Sequence, residues 1–199
     1  MKQGFLVSGA MAVLALSVLS GPSWAQDATA TGWKPDADLE KQLTVKADVE
    51  GTPIELPSGA QRQHQAVSTA TMTQTQNVWT VDKDVTILVI VMHPKEGSAL
   101  PEAAKALEDF EAVTVDTCDK AHRTPQEVGY VESLPAVRNH YTYTSPDAPN
   151  PKMTGFNYAA KTDNALVIVG AFTPESSKDK KLPLAETAVL TYLKGLAGK

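Results

Sequence analysis

The sequence predicts an α+β domain: a mainly antiparallel sheet covered by two or more helices, in an α/β/α-like sandwich. Three observations carry this. Two stretches, Val85 to Met92 and Ala165 to Phe172, are almost continuously apolar and rich in β-branched residues, as strands covered on both faces are. Two others, 100–111 and 183–196, repeat apolar residues at helical spacing. Short polar turns separate most of the remaining alternating segments, which favours antiparallel pairing over long crossovers.

Taken in chain order, the first element is one destined for removal. Met1-Lys2-Gln3 is short and cationic, the run from Phe5 to Leu19 is apolar but for Ser8, Gly9 and Ser17, and Ser20-Gly21-Pro22 breaks it. A run of roughly 15 residues suits a signal-peptide core and falls short of the roughly 20 that span a bilayer. Ser23-Trp24-Ala25 then puts small residues where a signal peptidase reads. Cleavage is expected between Ala25 and Gln26, leaving a soluble periplasmic or secreted chain with no transmembrane anchor. Residues 26–40 read as a flexible lead-in: from Gln26 to about Asp38 they are mostly small or polar, with Trp33 the one large apolar side chain. Residues 41–199 read as a single domain.

Within that domain, Leu43, Val45, Ala47 and Val49 alternate with polar residues, Glu50-Gly51 is a turn signal, and Ile54-Glu55-Leu56 resumes as a short strand before Pro57-Ser58-Gly59. The Thr- and Gln-rich segment 67–75 reads as a half-exposed strand. Asp82-Lys83-Asp84 turns the chain into the apolar strand 85–92, which His93-Pro94 ends. A helix opens near Pro101 with Leu100, Ala103, Leu107 and Phe110 as its apolar stripe. Residues 114–126 read as a polar connection to strands at 128–131 and 136–144. The Pro-rich segment 145–151 is a loop, and Phe156, Tyr158 and Ala160 alternate in the next strand. Thr162-Asp163-Asn164 turns into the strand 165–172, 173–181 reads as loop, and Pro183 opens the last helix with Ala185, Ala188, Val189, Tyr192, Leu193 and Leu196 on one stripe.

Composition excludes several function classes. Residues 1–25 hold one of the 18 basic residues, Lys2, and none of the 23 acidic ones, so cleavage moves the net charge from −5 to −6. An acidic chain without a dense Lys/Arg stripe is a poor ligand for nucleic acid or an anionic membrane surface. The single cysteine, Cys118, permits no internal disulfide, so core packing must stabilise the exported domain. A lone cysteine reads first as a small buried hydrophobe.

The order of elements resembles the PsbP-like fold, whose members include the extrinsic PsbP proteins of photosystem II, DcrB-type bacterial envelope proteins and a Ran-binding regulator of nuclear import. Four stretches carry the resemblance: the opening hairpin with Ile54-Glu55-Leu56-Pro57-Ser58-Gly59, the strand at 85–92 with the helix at 100–111, Leu134-Pro135-Ala136-Val137-Arg138 leading into a Tyr-rich strand, and the ending at 165–172 with Thr173-Pro174 and a helix. Together they span most of residues 43–196. The resemblance implies a sheet sandwiched by helices in a protein that binds or scaffolds, with no shared catalytic residues to carry over. Fold alone does not give function.

Candidate sites are few. Asp116, Cys118, Asp119 and His122 form the one local group of metal-capable side chains, which His93 could join only through tertiary structure. With no second Cys or His at close spacing, a polar connection holding a small buried thiol is the simpler reading. Arg138 and His140, on one strand face with Thr142, suit either a shallow surface for an anionic group or the rim of a sheet. Tyr130, Tyr141, Tyr143 and Tyr158 suit an aromatic platform or cross-strand packing. No zinc-protease, P-loop or dinucleotide motif is present, and the mature chain has no nucleophile elbow, so no catalytic residue and no cofactor is assigned.

The expected function is therefore that of a non-enzymatic binding or accessory protein whose partner is an envelope protein or a small ligand. The loop-rich segments 114–126 and 145–153 are the expected contact surface. The alternative is a small periplasmic hydrolase or metal-handling protein with a site assembled from distant residues. A tight cluster of His with Asp, Glu or Cys in a pocket would favour the alternative. The sequence sets no oligomeric state.

Overall fold

The computed structural model describes residues 31–145 and 151–198. The expected signal peptide and its cleavage site lie outside them. Residues 31–40, part of the expected lead-in, hold two short elements. Strand β1 (Thr31–Trp33) lies parallel to residues 129–131 at one edge of the main sheet, followed by a one-turn helix, α1 (Ala37–Glu40). Asp36 caps that turn, its carboxylate accepting from the N–H groups of Asp38 (2.8 Å) and Leu39 (3.1 Å). Trp33 is what holds the segment: it is buried against the Tyr158 ring, with centroids 5.3 Å apart.

β2 (Leu43–Val49) and β3 (Thr52–Pro57) form a separate hairpin. Its turn residues Glu50 and Gly51 both take positive φ, 52° and 77°, and Asp48 accepts from the Gly51 N–H. β4 (Gln61–Ser68), β5 (Met72–Val81) and β6 (Val85–Pro94) form an antiparallel meander. The single strand expected over 67–75 is in fact interrupted by a turn. Thr69 closes it, its N–H donating to the Met72 carbonyl (2.8 Å) and its hydroxyl accepting from the Met72 N–H (3.0 Å).

Helix α2 (Ala103–Thr117) continues past the expected end, so residues 114–117 are helical rather than a polar connection. Strand β7 (Asp119–Arg123) follows, then β8 (Glu127–Val131), β9 (Leu134–Thr144), β10 (Lys152–Lys161) and β11 (Leu166–Pro174). The last helix, α3 (Lys178–Ala197), begins before Pro183 and carries that proline inside it. Helix thus replaces the later part of the loop expected over 173–181.

The main sheet runs β1-β8-β9-β10-β11-β6-β5-β4, with β7 also paired to β9; every pairing except β1 with β8 is antiparallel. The two apolar runs, β6 and β11, are neighbours at its centre. One face packs Val89, Val91, Val167, Val169 and Tyr158 against α3 and the β2–β3 hairpin. The other packs Ile90, Met92, Leu166 and Ile168 against Ala106 and Leu107 of α2. Both faces are covered, which is why neither strand alternates. Replacing Ile90 or Ile168 with Ala should cost about 2–5 kcal/mol in denaturant unfolding. Losses under about 1 kcal/mol at both sites would show that they are not core.

Candidate functional site

Three turns, a strand end and the end of a helix meet at one end of the sheet and leave a cleft of about 470 Å³ between them. The β2–β3 turn supplies Val49, Glu50 and Thr52, the end of β6 supplies Val91 and His93, and the β8–β9 turn supplies Ser133 and Leu134. The β10–β11 turn contributes residues 161–165, and the last turns of α3 bring Tyr192, Leu196 and Ala197. The floor is aliphatic and the rim polar, the usual composition of a small-ligand site.

His93 ties three of these walls together. Its Nε2 lies 2.5 Å from Glu50 Oε2 and its Nδ1 lies 2.9 Å from the Asn164 carbonyl oxygen. Both partners are acceptors, so only the doubly protonated imidazolium satisfies both bonds. The Glu50 bond accordingly raises the His93 pKa above its ordinary value, against the opposing effect of burial. Glu50 Oε1 also accepts from the Thr75 hydroxyl at 2.6 Å. Lys161 donates to Glu102 at 2.8 Å. Tyr192 is buried, and desolvation followed by the negative charges of Glu50 and Asp48 pushes its phenol well above the ordinary range.

A second polar cluster lies under α2. Glu111, only 3% exposed, accepts from the side-chain amides of Asn157 (3.1 Å) and Asn139, with Arg123 Nη1 3.7 Å away. Burial raises its pKa, and the amides and Arg123 act against that rise. The adjoining cavity, lined by His122, Arg123 and Tyr141 among others, is about 10 Å³, the size of one water.

The residues singled out in the sequence take other parts. Arg138 is no free anion site: its side chain is 19% exposed, and Glu127 (2.6 Å) and Glu186 (3.5 Å) already balance its charge. Its guanidinium also donates to the Tyr158 hydroxyl at 3.2 Å and lies over the Trp33 ring, 4.9 Å from the centroid. His140 is half-buried on the same strand, and its backbone N–H and carbonyl both pair with Thr124. Asp116 falls in the last turn of α2, Cys118 in the link after it and His122 in β7. The side chains of Asp116 and Asp119 lie outside the described residues. Among the described residues, no three metal-capable side chains stand in a ligating arrangement. The tyrosines do not form one platform: Tyr158 is core beside Phe156, whereas Tyr141 and Tyr143 stack on each other at 5.9 Å. Of the expected contact surface, 114–126 is partly helix and strand, and residues 146–150 lie outside the described residues.

Sequence reasoning read Glu50 and Asp163-Asn164 only as turn signals, and His93 as a strand end that could reach the Asp116–His122 group only through tertiary structure. His93 is 43 residues from Glu50 and 71 from Asn164, a separation no local motif spans.

No protein-family model matches the sequence, and no curated protein sequence matches it either. Solved structures do. Cyanobacterial PsbP (CyanoP) from Synechocystis sp. PCC 6803 aligns over 74% of this chain and 89% of its own, at 15% identity and a TM-score of 0.53. PA94, a protein of unknown function from Pseudomonas aeruginosa, aligns over 74% and 94% at 10% identity and 0.42. LpqN of Mycobacterium tuberculosis, involved in cell envelope biogenesis, aligns over 68% and 83% at 10% identity and 0.40. The expected resemblance is thereby met at the level of architecture: this chain has the PsbP-like fold.

Proposed function

We propose that this chain is an exported binding or accessory protein of the cell envelope, which recognises its partner or ligand through the His93 cleft and performs no chemistry of its own. The signal-peptide pattern of residues 1–25 supports export, and the PsbP-like fold supports a binding role. The observation that carries the reading is the cleft itself, about 470 Å³ of space whose one histidine is already fully bonded.

A hydrolase is the second reading, and one observation favours it. Ser133, His93 and Glu50 border the same cleft and are the residue types of a nucleophile, a base and its orienting carboxylate. Yet a general base needs a ring nitrogen with a free lone pair facing the nucleophile. Here both nitrogens face acceptors, so His93 would have to give up Glu50 or Asn164 to take a proton. The dyad fits a structural tie better.

Ser133→Trp tests the binding reading, because Ser133 is exposed on the cleft wall and an indole there fills the space without entering the core. Capture of envelope components should fall at least tenfold, with a stability change of about 0.5 kcal/mol or less. Unchanged capture would overturn the use of the cleft. Turnover of an ester, phosphoester or peptide substrate that disappears in His93→Gln would overturn the absence of chemistry.

A further inference from the structure

Of the two strands that end the main sheet, β4 is the longer. β1 offers three residues, whereas β4 pairs with β5 over all eight, from Gln61↔Thr80 to Ser68↔Thr73, with no bulge. Its other side meets no strand among the described residues, so alternate backbone N–H and C=O groups face outward without a ladder partner. Lysine, proline or a bulge commonly protects such an edge, and residues 61–68 contain none of them. The edge also carries an unbalanced charge. Arg62 and His64 stand on one face of β4, both exposed, and neither makes an ion pair among the described residues. β4 and β5 together hold no acidic residue, in a chain of net charge −5. The carboxylates that flank β5 are taken: Asp82 and Asp84 face Lys181, and Glu50, which reaches Thr75, is bonded to His93. Arg62 and His64 are nevertheless held in place. The buried Asn77 side chain presents Oδ1 to Arg62 Nε (3.1 Å), Arg62 Nη2 and His64 Nδ1 (2.9 Å). The guanidinium lies over the buried Trp79 ring, 5.6 Å from its centroid. Arg62 can only donate, so the Asn77 atom facing it is the oxygen and His64 Nδ1 carries a proton. Arg62 Nη1 and His64 Nε2 are left with no partner among the described residues.

We infer that β4 is a docking edge for an extended acidic segment of a partner protein, which adds to the sheet as a further strand. Backbone pairing supplies the grip, and carboxylates at alternate positions meet the Arg62 guanidinium and the protonated His64 Nε2. On the opposite face the incoming side chains are uncharged, because Gln63, Gln65 and Val67 stand there beside Gln74, Gln76 and Val78. A second copy of this chain fits worse. Paired along β4 about a two-fold axis, it brings another Arg62 and His64 to the face that already holds the first pair. No residue of β4 or β5 lines the His93 cleft, so this edge is a separate surface from that site.

The test is a titration of the exported protein with a capped heptapeptide, followed by residue-resolved NMR. The peptide has glutamate at its third and fifth positions and threonine or valine elsewhere. The amides of residues 61–68 should shift saturably. Analogues with glutamine or lysine at those two positions should bind about fivefold and about tenfold more weakly. Methylating the backbone nitrogens of the glutamate peptide keeps its charge, removes its N–H donors and should abolish binding. Arg62→Gln should weaken the glutamate peptide about threefold and leave the glutamine analogue unchanged. Should that variant fail to fold, the comparison among peptides on the parent protein still decides. Ser133→Trp, in the His93 cleft, should leave peptide binding as it is, so the two surfaces stand or fall separately. Equal affinity for the glutamate and lysine peptides, binding that survives methylation, or no binding by any peptide would overturn the inference. Shifts over residues 61–68 that grow with protein concentration alone would assign the edge to a second copy instead.

Discussion

Replacing Trp33 with Ala should lower stability by about 3–5 kcal/mol, the range for truncating a large buried aromatic side chain. This is an unusual expectation for a residue so close to the start of the described chain. Trp33 is 5% exposed and meets Tyr158 edge-on, and the Arg138 guanidinium lies over its ring, 4.9 Å from the centroid. Such aromatic and cation contacts add about 0.5–2 kcal/mol beyond the area they bury. Removing the indole therefore also uncovers Arg138, whose charge is balanced by Glu127 and Glu186 from two different elements. Gly129 offers an independent check. A Cβ there would come within 2.2 Å of the Thr31 carbonyl oxygen and 2.8 Å of the Trp33 ring, so Gly129→Ala should expel β1 without altering Trp33 itself. Urea or guanidinium unfolding of both variants reads the effect. A loss below about 1 kcal/mol in Trp33→Ala would mean that residues 31–40 contribute little to the fold in solution.

Glu111→Ala is the second large effect, expected at about 2–5 kcal/mol. The carboxylate is the acceptor for two buried amides, Asn139 and Asn157, and an unsatisfied buried donor costs about 1–3 kcal/mol each. Glu111→Gln should be far milder. Its carbonyl oxygen can serve Asn157, and its amide can donate to Asn139 if that side chain turns over to present Oδ1, which has no partner as it stands. The pH dependence has a definite sign. Burial raises the Glu111 pKa in the fold, so its contribution is most favourable below its ordinary value near 4.5 and falls as pH rises through the raised folded value. Between pH 4 and 8, the stability of Glu111→Gln relative to the parent should therefore rise. A flat difference across that range would show that Arg123 and the two amides offset the burial fully.

Much of the fold was legible because the signals are local. The two apolar runs read as central strands, and β6 and β11 are adjacent in the sheet with α2 and α3 on opposite faces. Elsewhere tertiary contact overrode composition. Residues 31–40 look like a tail until Trp33 has Tyr158 to bury against. The segment 67–75 is equally good strand on either side of Thr69, and only its pairing partners choose the turn. Pro183 resembles a helix start, yet Lys181 bonds Asp84 across the domain at 2.9 Å and the helix begins earlier.

The candidate site divides along the same line. Periodicity belongs to neighbours in the chain, so the sequence by itself determined that this would be an α+β sandwich with two doubly covered strands and no disulfide to hold it. It also determined the acidic charge and the absence of the zinc-protease, P-loop, dinucleotide and, in the mature chain, nucleophile-elbow motifs. A site made of turn residues has no such period. Glu50, His93 and Asn164 each look like punctuation, and they become one hydrogen-bonded tie only because the strand order β10-β11-β6 and the hairpin packed on α3 bring their turns to the same end. For Arg138 the reverse holds: a cation on a strand looks available until the fold surrounds it with Glu127, Glu186 and two aromatic rings. Whether a charged side chain is free or committed depends on which distant groups neutralise it, and that was decided by the tertiary structure alone.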